Sequence, residues 1–351
     1  MTGHELFRAE RLPVLQNRVY PTRHEALASA VGDVVLVQNE RTGLVANAAF
    51  DSTRMVYDAH YQNEQGLSPT FRRHLDEVLA LVQPAMGGGP VLEVGCGKAC
   101  FLQLMLSAGM QATGIDPAYE GDSPHVIAAP FEPGLGISAD GIILRHVLEH
   151  MDDPVGFLAQ LARANGGRGL IYIEVPCLDW ICANRAWFDI FYEHVNYFRL
   201  RDLQRLFSRV RASGHLFGGQ YIYLLADLSS LCEPVATRED RLVFPDDFLA
   251  GVQVGAERAQ SHHGSRAIWG GSSKGVIFAS YLARLGVALD AVIDINPAKQ
   301  GRHIAVTGLP VVSPQAAMAA LEVGALVFVM NPNYHDEIVR QSQSRFNFVK
   351  A

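Results

Sequence analysis

The chain has 351 residues, more than a single hydrophobic core usually serves, so two or three domains are expected. With 49% hydrophobic and 19% charged residues it has globular composition, which excludes disordered and collagen-like classes. A net charge of −7 without a basic block excludes a protein that works by gripping nucleic-acid phosphates.

Residues 1–60 show little helical periodicity. Val34–Val37 and Gly43–Ala46 flank a polar stretch, Gln38–Thr42, and predict a hairpin in a small β-rich module. Ser68-Pro69 predicts a helix start, and Phe71, Leu75, Val78, Leu79 and Val82 follow at helical spacing over 69–83. From residue 90 strands and helices alternate. Strands are predicted at Pro90–Val94, Ala112–Ile115, Gly141–Leu144 and Leu170–Val175, with helices over 98–108 and from Asp153-Pro154 to about Ala164. That rhythm implies a doubly wound parallel sheet. Tyr221–Leu225 is a further candidate strand, and 228–246 reads as a linker. A second α/β unit follows: a helix near 247–262, strand Arg266–Trp269, the turn Gly270–Gly275, a helix to Leu285, and strands Ala291–Ile295 and Ala325–Met330. The expected units are 1–60, 61–230 and 240–351.

Five cysteines, at 96, 100, 177, 182 and 232, are an odd number without framework spacing, which fits a reducing compartment. With no basic n-region at the start and no run of 18 apolar residues, a cytoplasmic protein that neither meets a membrane nor binds nucleic acid is expected.

The sharpest motif is Val91-Leu92-Glu93-Val94-Gly95-Cys96-Gly97-Lys98-Ala99, a strand ending in two glycines before a helix. Glycines allow a tight turn and let a ligand approach the backbone. Asp116 ends the next strand and suits a ribose diol. A dinucleotide site wants G-x-G-x-x-G, but its third glycine position is Cys100. S-adenosylmethionine binding uses the acid-led form that Glu93 begins. Taken alone, the turn leaves three readings: S-adenosylmethionine, a nicotinamide cofactor, or a turn with no ligand. In the C-terminal unit, Gly270–Gly275 could bind a phosphate or be a plain strand–helix turn.

Asp140–His150, with His146-Val147-Leu148-Glu149-His150 ahead of Asp153-Pro154, resembles the fourth-strand signature of class I S-adenosylmethionine-dependent methyltransferases. Tyr192-Glu193-His194-Val195-Asn196-Tyr197-Phe198 after Glu174-Val175-Pro176 extends the likeness. So do Trp269–Gly275, Asp294–Gly301, Val312-Ser313-Pro314 and Asn331–Tyr334. Together they resemble the C-methyltransferases that act on nucleotide-linked keto-deoxysugars, over roughly residues 10–345. The resemblance implies a Rossmann-like class I methyltransferase core, a small N-terminal module and a second, C-terminal Rossmann-like domain. It implies C-methylation alpha to a carbonyl of a small molecule, with S-adenosylmethionine as donor and S-adenosylhomocysteine as product. O- or N-methylation on the same scaffold and a non-catalytic S-adenosylmethionine- or nucleotide-binding protein are the alternatives.

The expected cofactor residues are Glu93, Gly95, Gly97, Asp116, Pro117, Phe131, Arg145, His146 and Tyr61. The expected catalytic residues are His194 as base with Glu193 as its partner, and His150 and Tyr192 lining the acceptor side, in a cleft between the core and the C-terminal domain. A histidine that titrates near neutrality suits proton abstraction. Phe191 stands where the family has a tyrosine. The family's first domain is a zinc module with C-x-x-C knuckles; here Asn39–Gly43 occupies a knuckle position and no cysteine precedes Cys96, so no metal ligands are expected there and no stoichiometric zinc in the protein. A monomer or homodimer is expected.

Overall fold

The computed structural model of the protein describes residues 3–55, 60–136 and 138–351. Its centre is a seven-stranded sheet in the spatial order Val210–Leu216, Tyr221–Asp227, Leu170–Pro176, Gly141–Arg145, Val91–Val94, Ala112–Ile115, Val126–Ile127. All neighbours are parallel except those of Tyr221–Asp227, which runs antiparallel to both of its partners. Val91–Val94 is buried at all four positions, as a strand covered by helices on both faces must be. Strand Val210–Leu216 was not anticipated. It is an edge strand with few apolar residues, half solvated, so its sequence lacks the continuous hydrophobic run of the central strands.

Helix Pro69–Met86 begins as expected: Ser68 Oγ accepts from the Phe71 amide at 3.3 Å, and Phe71, His74, Leu75, Val78, Val82 and Met86 form the buried face. Asp153 caps helix Pro154–Ala164 by accepting from the Gly156 amide at 2.9 Å. The second unit is an all-parallel five-stranded sheet, in the order Val311–Val312, Ala291–Ile293, Arg266–Trp269, Leu326–Val329, Asn347–Lys350.

The N-terminal hairpin forms, with Val31–Asn39 pairing Val45–Asn47, and the long strand Gly3–Pro13 flanks it. At the knuckle position Asn39 Oδ1 accepts from the Arg41 and Thr42 amides at 2.9 and 3.0 Å, a side-chain turn where the zinc modules use thiolates. This module is stitched to both larger units. Asn196–Tyr197, from the loop after the strand Leu170–Pro176, pairs with Val45–Asn47, and Val19–Tyr20 pairs with His303–Ile304. One apolar cluster runs through all three, joining Leu12 and Leu36 to Trp187 and Phe191 and on to Phe278 and Phe328. Among the described residues no helix is long and apolar enough to cross a membrane.

Candidate active site

The sheet register brings four strand ends to one edge: Val94 lies beside Ile115 and Leu144, and Arg145 beside Glu174. The residues that follow those ends therefore share a rim, where ligands of open α/β sheets bind. At its middle the chain turns through Gly95 (φ +75°) and Gly97 (φ +54°). A Cβ at Gly95 would stand 2.4 Å from Val147 Cγ2, whereas one at Gly97 would meet nothing within 4 Å. The backbone at Gly97 is thus open to an incoming group. Ala99, two residues on, is also left-handed (φ +61°), a conformation costing a non-glycine residue about 1–2 kcal/mol.

Asp116 closes this turn. Its two carboxylate oxygens accept from the Gly97 and Ala118 amides, each at 2.8 Å. A carboxylate has about four acceptor positions, so two remain for hydroxyls of a ligand. Beneath them Glu93 is 3% exposed, with one oxygen lacking any partner. Burial, opposed by Arg145 and reinforced by Asp116, pushes its carboxyl up to about 8. Open backbone, a held carboxylate and an unsatisfied buried acid fit a ligand carrying a ribose diol and an ammonium group. Pro117 follows on the exposed side. Phe131 is half-buried edge-on to Phe157, 6.3 Å between centroids.

Arg145 stands near Glu93 and is held by a second acid. Its guanidinium pairs with Glu174 at 3.2 Å and covers the Phe101 ring at 4.9 Å. Glu174 is fully buried and also accepts from His74 Nε2 at 3.0 Å and Tyr172 Oη at 2.9 Å. Burial alone would raise its pKa, but Arg145, His146 and His74 outweigh it and hold the carboxyl well below the usual range. His146 (φ +54°) stands between Glu149 at 3.3 Å and Glu174 at 3.2 Å. Burial opposes its charge, but these two carboxylates raise it to about 9.

Residues 186–199 are all buried. Two hydrogen bonds pin the loop: Tyr197 Oη accepts from the Phe191 amide at 3.1 Å and donates to the Phe191 carbonyl at 3.0 Å. Because the segment turns at Tyr192-Glu193 rather than running as a strand, Glu193 and His194 both line the same cavity. They are not partners there. The Glu193 carboxylate accepts from the Gln16 amide at 2.6 Å and from the Tyr61 hydroxyl, both reaching in from the N-terminal side. The Glu193 carbonyl takes the Nδ1–H of His150 at 2.8 Å, which leaves His150 Nε2 as the lone-pair nitrogen. His194 is 8% exposed, wedged 4.0 Å from the Phe191 ring and 5.0 Å from the His150 ring. Burial, reinforced by His150, His146 and Lys274 nearby, holds its pKa well below the ordinary value rather than near neutrality as expected, so it is neutral at physiological pH.

Tyr192 departs from expectation. Its hydroxyl accepts from the Asp51 amide at 2.9 Å, and its ring packs against Phe50 and fills the space where Gly32 lacks a side chain. It does not line the cavity. Apolar packing against the N-terminal sheet decided its direction.

The cavity, of about 270 Å³, lies between the core rim and the second unit. His146, Glu149, His150, Phe191 and His194 form one wall, and Trp269–Gly270, Asp294 and Asn331 the other. Lys274 bridges the walls, its ammonium donating to Asp189 at 2.7 Å and to Gln220 at 3.2 Å. Gln16, Lys274 and Glu149 were not anticipated. Only Glu149 carried a signal, standing between the two histidines of His146–His150 on one short turn.

Residues 60–210 match the family model described as a methyltransferase domain, and residues 255–348 match that of the C-methyltransferase C-terminal domain. C-methyltransferase NovU of Streptomyces niveus is 27% identical over 168 residues, 42% of this chain. The chain spans about two fifths (39%) of that relative's length. Solved structures that the chain resembles include a SAM-dependent methyltransferase from Archaeoglobus fulgidus, at 19% identity and TM-score 0.34, over 44% of this chain and 94% of that one. Magnesium protoporphyrin IX methyltransferase from Synechocystis PCC 6803, with bound SAH, is 17% identical at TM-score 0.36, over 48% of this chain and 90% of that one. The core is a Rossmann-like α/β fold matched by the methyltransferase domain model, joined to a second α/β unit.

Proposed function

We propose that this chain, in which a methyltransferase domain is joined to a C-methyltransferase C-terminal domain, moves a methyl group from S-adenosylmethionine to a carbon alpha to a carbonyl of a small molecule, with His194 as the base. S-adenosylmethionine supplies an electrophilic methyl on a sulfonium. Gly95, Gly97, Asp116 and Glu93 would hold it at the strand ends, Asp116 through the ribose hydroxyls. Arg145 acts one layer below, as a positioning residue that balances Glu174.

The observation that carries this reading is the place and state of His194: buried, neutral, and lining the cavity between the core and the second unit. An imidazole that is already unprotonated can accept a proton from a carbon next to a carbonyl, and a placed base contributes about 10²–10⁴-fold. Glu193 holds His150 through its carbonyl and ties Gln16 and Tyr61 to the loop, so it positions the base without touching it. The acceptor class that fits the resemblance is a nucleotide-linked keto-deoxysugar, with the cleft between core and second unit as its site. Phe191, against the His194 ring, offers that acceptor an apolar face instead of a hydroxyl. The expected units 1–60, 61–230 and 240–351 serve this reading as brace, donor site and acceptor wall.

The test screens such keto-deoxysugars with tritium-labelled donor. His194→Ala is expected to lower kcat by about 10²–10⁴-fold while calorimetric affinity for S-adenosylhomocysteine stays unchanged. Carbon methylation also predicts that the wild type exchanges the acceptor's alpha proton with solvent deuterium, and that His194→Ala does not. Full turnover in the variant, or joint loss of folding and cofactor binding, removes His194 from this role. Methylation without alpha exchange assigns an oxygen or nitrogen acceptor, which His194 would only orient.

A further inference from the structure

We propose that Glu149, His150 and His194 form a binding site for one divalent transition-metal ion of the zinc or cobalt type. One donor atom from each lies within 4.8 Å of the others. Glu149 and His150 come from the single 3-10 turn Leu148–His150 that ends the strand Gly141–Arg145, and His194 comes from the pinned loop opposite. The set joins residues 44 positions apart in sequence through the tertiary fold alone.

Two features show that the donors are prepared for a ligand. Glu149 is 1% exposed, and its Oε2 has no hydrogen-bond partner; only Oε1 faces His146. A buried carboxylate oxygen left unpaired costs free energy that a cation would recover. His150 gives its Nδ1–H to the Glu193 carbonyl at 2.8 Å, so Nε2 presents a lone pair in a fixed ring orientation. A backbone carbonyl on the far nitrogen is how metal-binding histidines are usually oriented.

The donor chemistry selects the ion. Two imidazoles and one carboxylate suit zinc, cobalt, nickel or ferrous iron, whereas magnesium and calcium prefer all-oxygen sets. Three protein donors leave open positions toward the cavity, as in metal sites that exchange small ligands. Donors around a tetrahedral ion at about 2.1 Å are roughly 3.4 Å apart, so from separations within 4.8 Å the side chains close by at most about 1.4 Å on binding. Ion binding stands on this geometry alone. One consequence rests on the proposed function: an ion bound to His194 takes the lone pair of the base, so it should inhibit methyl transfer.

The full chain, stripped with chelator and without methyl donor, is titrated with Co²⁺ and followed by visible d–d absorption. One Co²⁺ per chain should bind with the intense bands of four- or five-coordination, and one equivalent of Zn²⁺ should erase them. Glu149→Gln and His194→Gln should each weaken binding by about 10–100-fold or more, with thermal melting as the check on folding. Absence of a saturable one-to-one signal overturns the site, as does a Co²⁺ affinity unchanged in both variants, which places the ion elsewhere. If either variant is unfolded, His150→Gln is judged by the same criterion. Turnover plays no part in these measurements, so failure of the proposed reaction and failure of the metal site are read separately.

Discussion

The two glycine turns share a plan and differ in what fills them. Each follows a parallel strand, and each begins with a glycine amide bonded to the neighbouring strand: Gly95 to the Ile115 carbonyl at 2.8 Å, Gly270 to the Ile293 carbonyl at 2.9 Å. In each, an acid from that neighbour accepts a turn amide at 2.8 Å, Asp116 from Gly97 and Asp294 from Gly271. There the likeness stops. Behind Gly97 the space is open. Behind Gly271 stands Lys299, 1% exposed, donating to the Gly271 carbonyl at 3.1 Å and Ser272 Oγ at 2.7 Å, with Asp294 at 3.9 Å. The next lysine, Lys274, reaches across to Asp189 and Gln220 of the core. One turn is a cradle with acceptor capacity to spare. The other is a clasp whose carboxylate is already compensated. A glycine turn with an acid beside it therefore specifies a backbone geometry, and the groups behind it decide whether a ligand has room.

The strongest way to break this comparison is to empty the clasp. Lys299→Met leaves Asp294 buried without its cation and is expected to destabilise the protein by about 3–5 kcal/mol in urea denaturation. A loss below 1 kcal/mol would mean that Lys299 is no structural plug. Next comes the functional contrast. Asp116→Ala should weaken S-adenosylhomocysteine binding by about 1–3 kcal/mol in calorimetry, whereas Asp294→Ala, measured where it remains folded, should leave that affinity unchanged. Equal effects at both acids would erase the distinction.

A smaller effect sharpens the cradle itself. Burial pushes the Glu93 carboxyl up to about 8 in the fold from its ordinary 4.5, so between those pH values the folded state holds more protons than the unfolded chain. Its contribution to stability is complete below pH 4.5 and is lost as pH rises toward 8. The slope is at most about 1.4 kcal/mol per pH unit. Urea midpoints of wild type and Glu93→Gln at pH 5 and pH 8 should therefore converge or cross as pH rises, with the variant gaining. A constant difference would show that Glu93 is ionised throughout.

The legible parts of this protein were the local ones. Ser68 and Asp153 cap helices through contacts three residues away, so their roles can be read from the sequence. Glu93, Gly95, Gly97 and Asp116 were legible because a strand, a turn and the end of the neighbouring strand bring them together within 19 residues of turn and acid. His146, His150 and His194 were legible as candidates, since the register of parallel strands places the segments after them on one rim.

What sequence alone could not show are the partners. Glu193 is next to His194 in the chain, yet its carboxylate is held by the Gln16 amide, 177 residues away, and by Tyr61. Tyr192 turns out of the cavity because Phe50 and Gly32 of the N-terminal module offer it an apolar seat. Glu149 meets His194 only because the loop from 186 to 199 is buried between three units. The sequence by itself determined the α/β alternation, the glycine turns and the acids beside them, since these follow from backbone conformation and from periods of a few residues. Tertiary structure alone decided which acid serves which histidine and which turn stays open. Those outcomes depend on burial and on hydrogen bonds between distant segments, whose free energies do not exist until the sheets have packed.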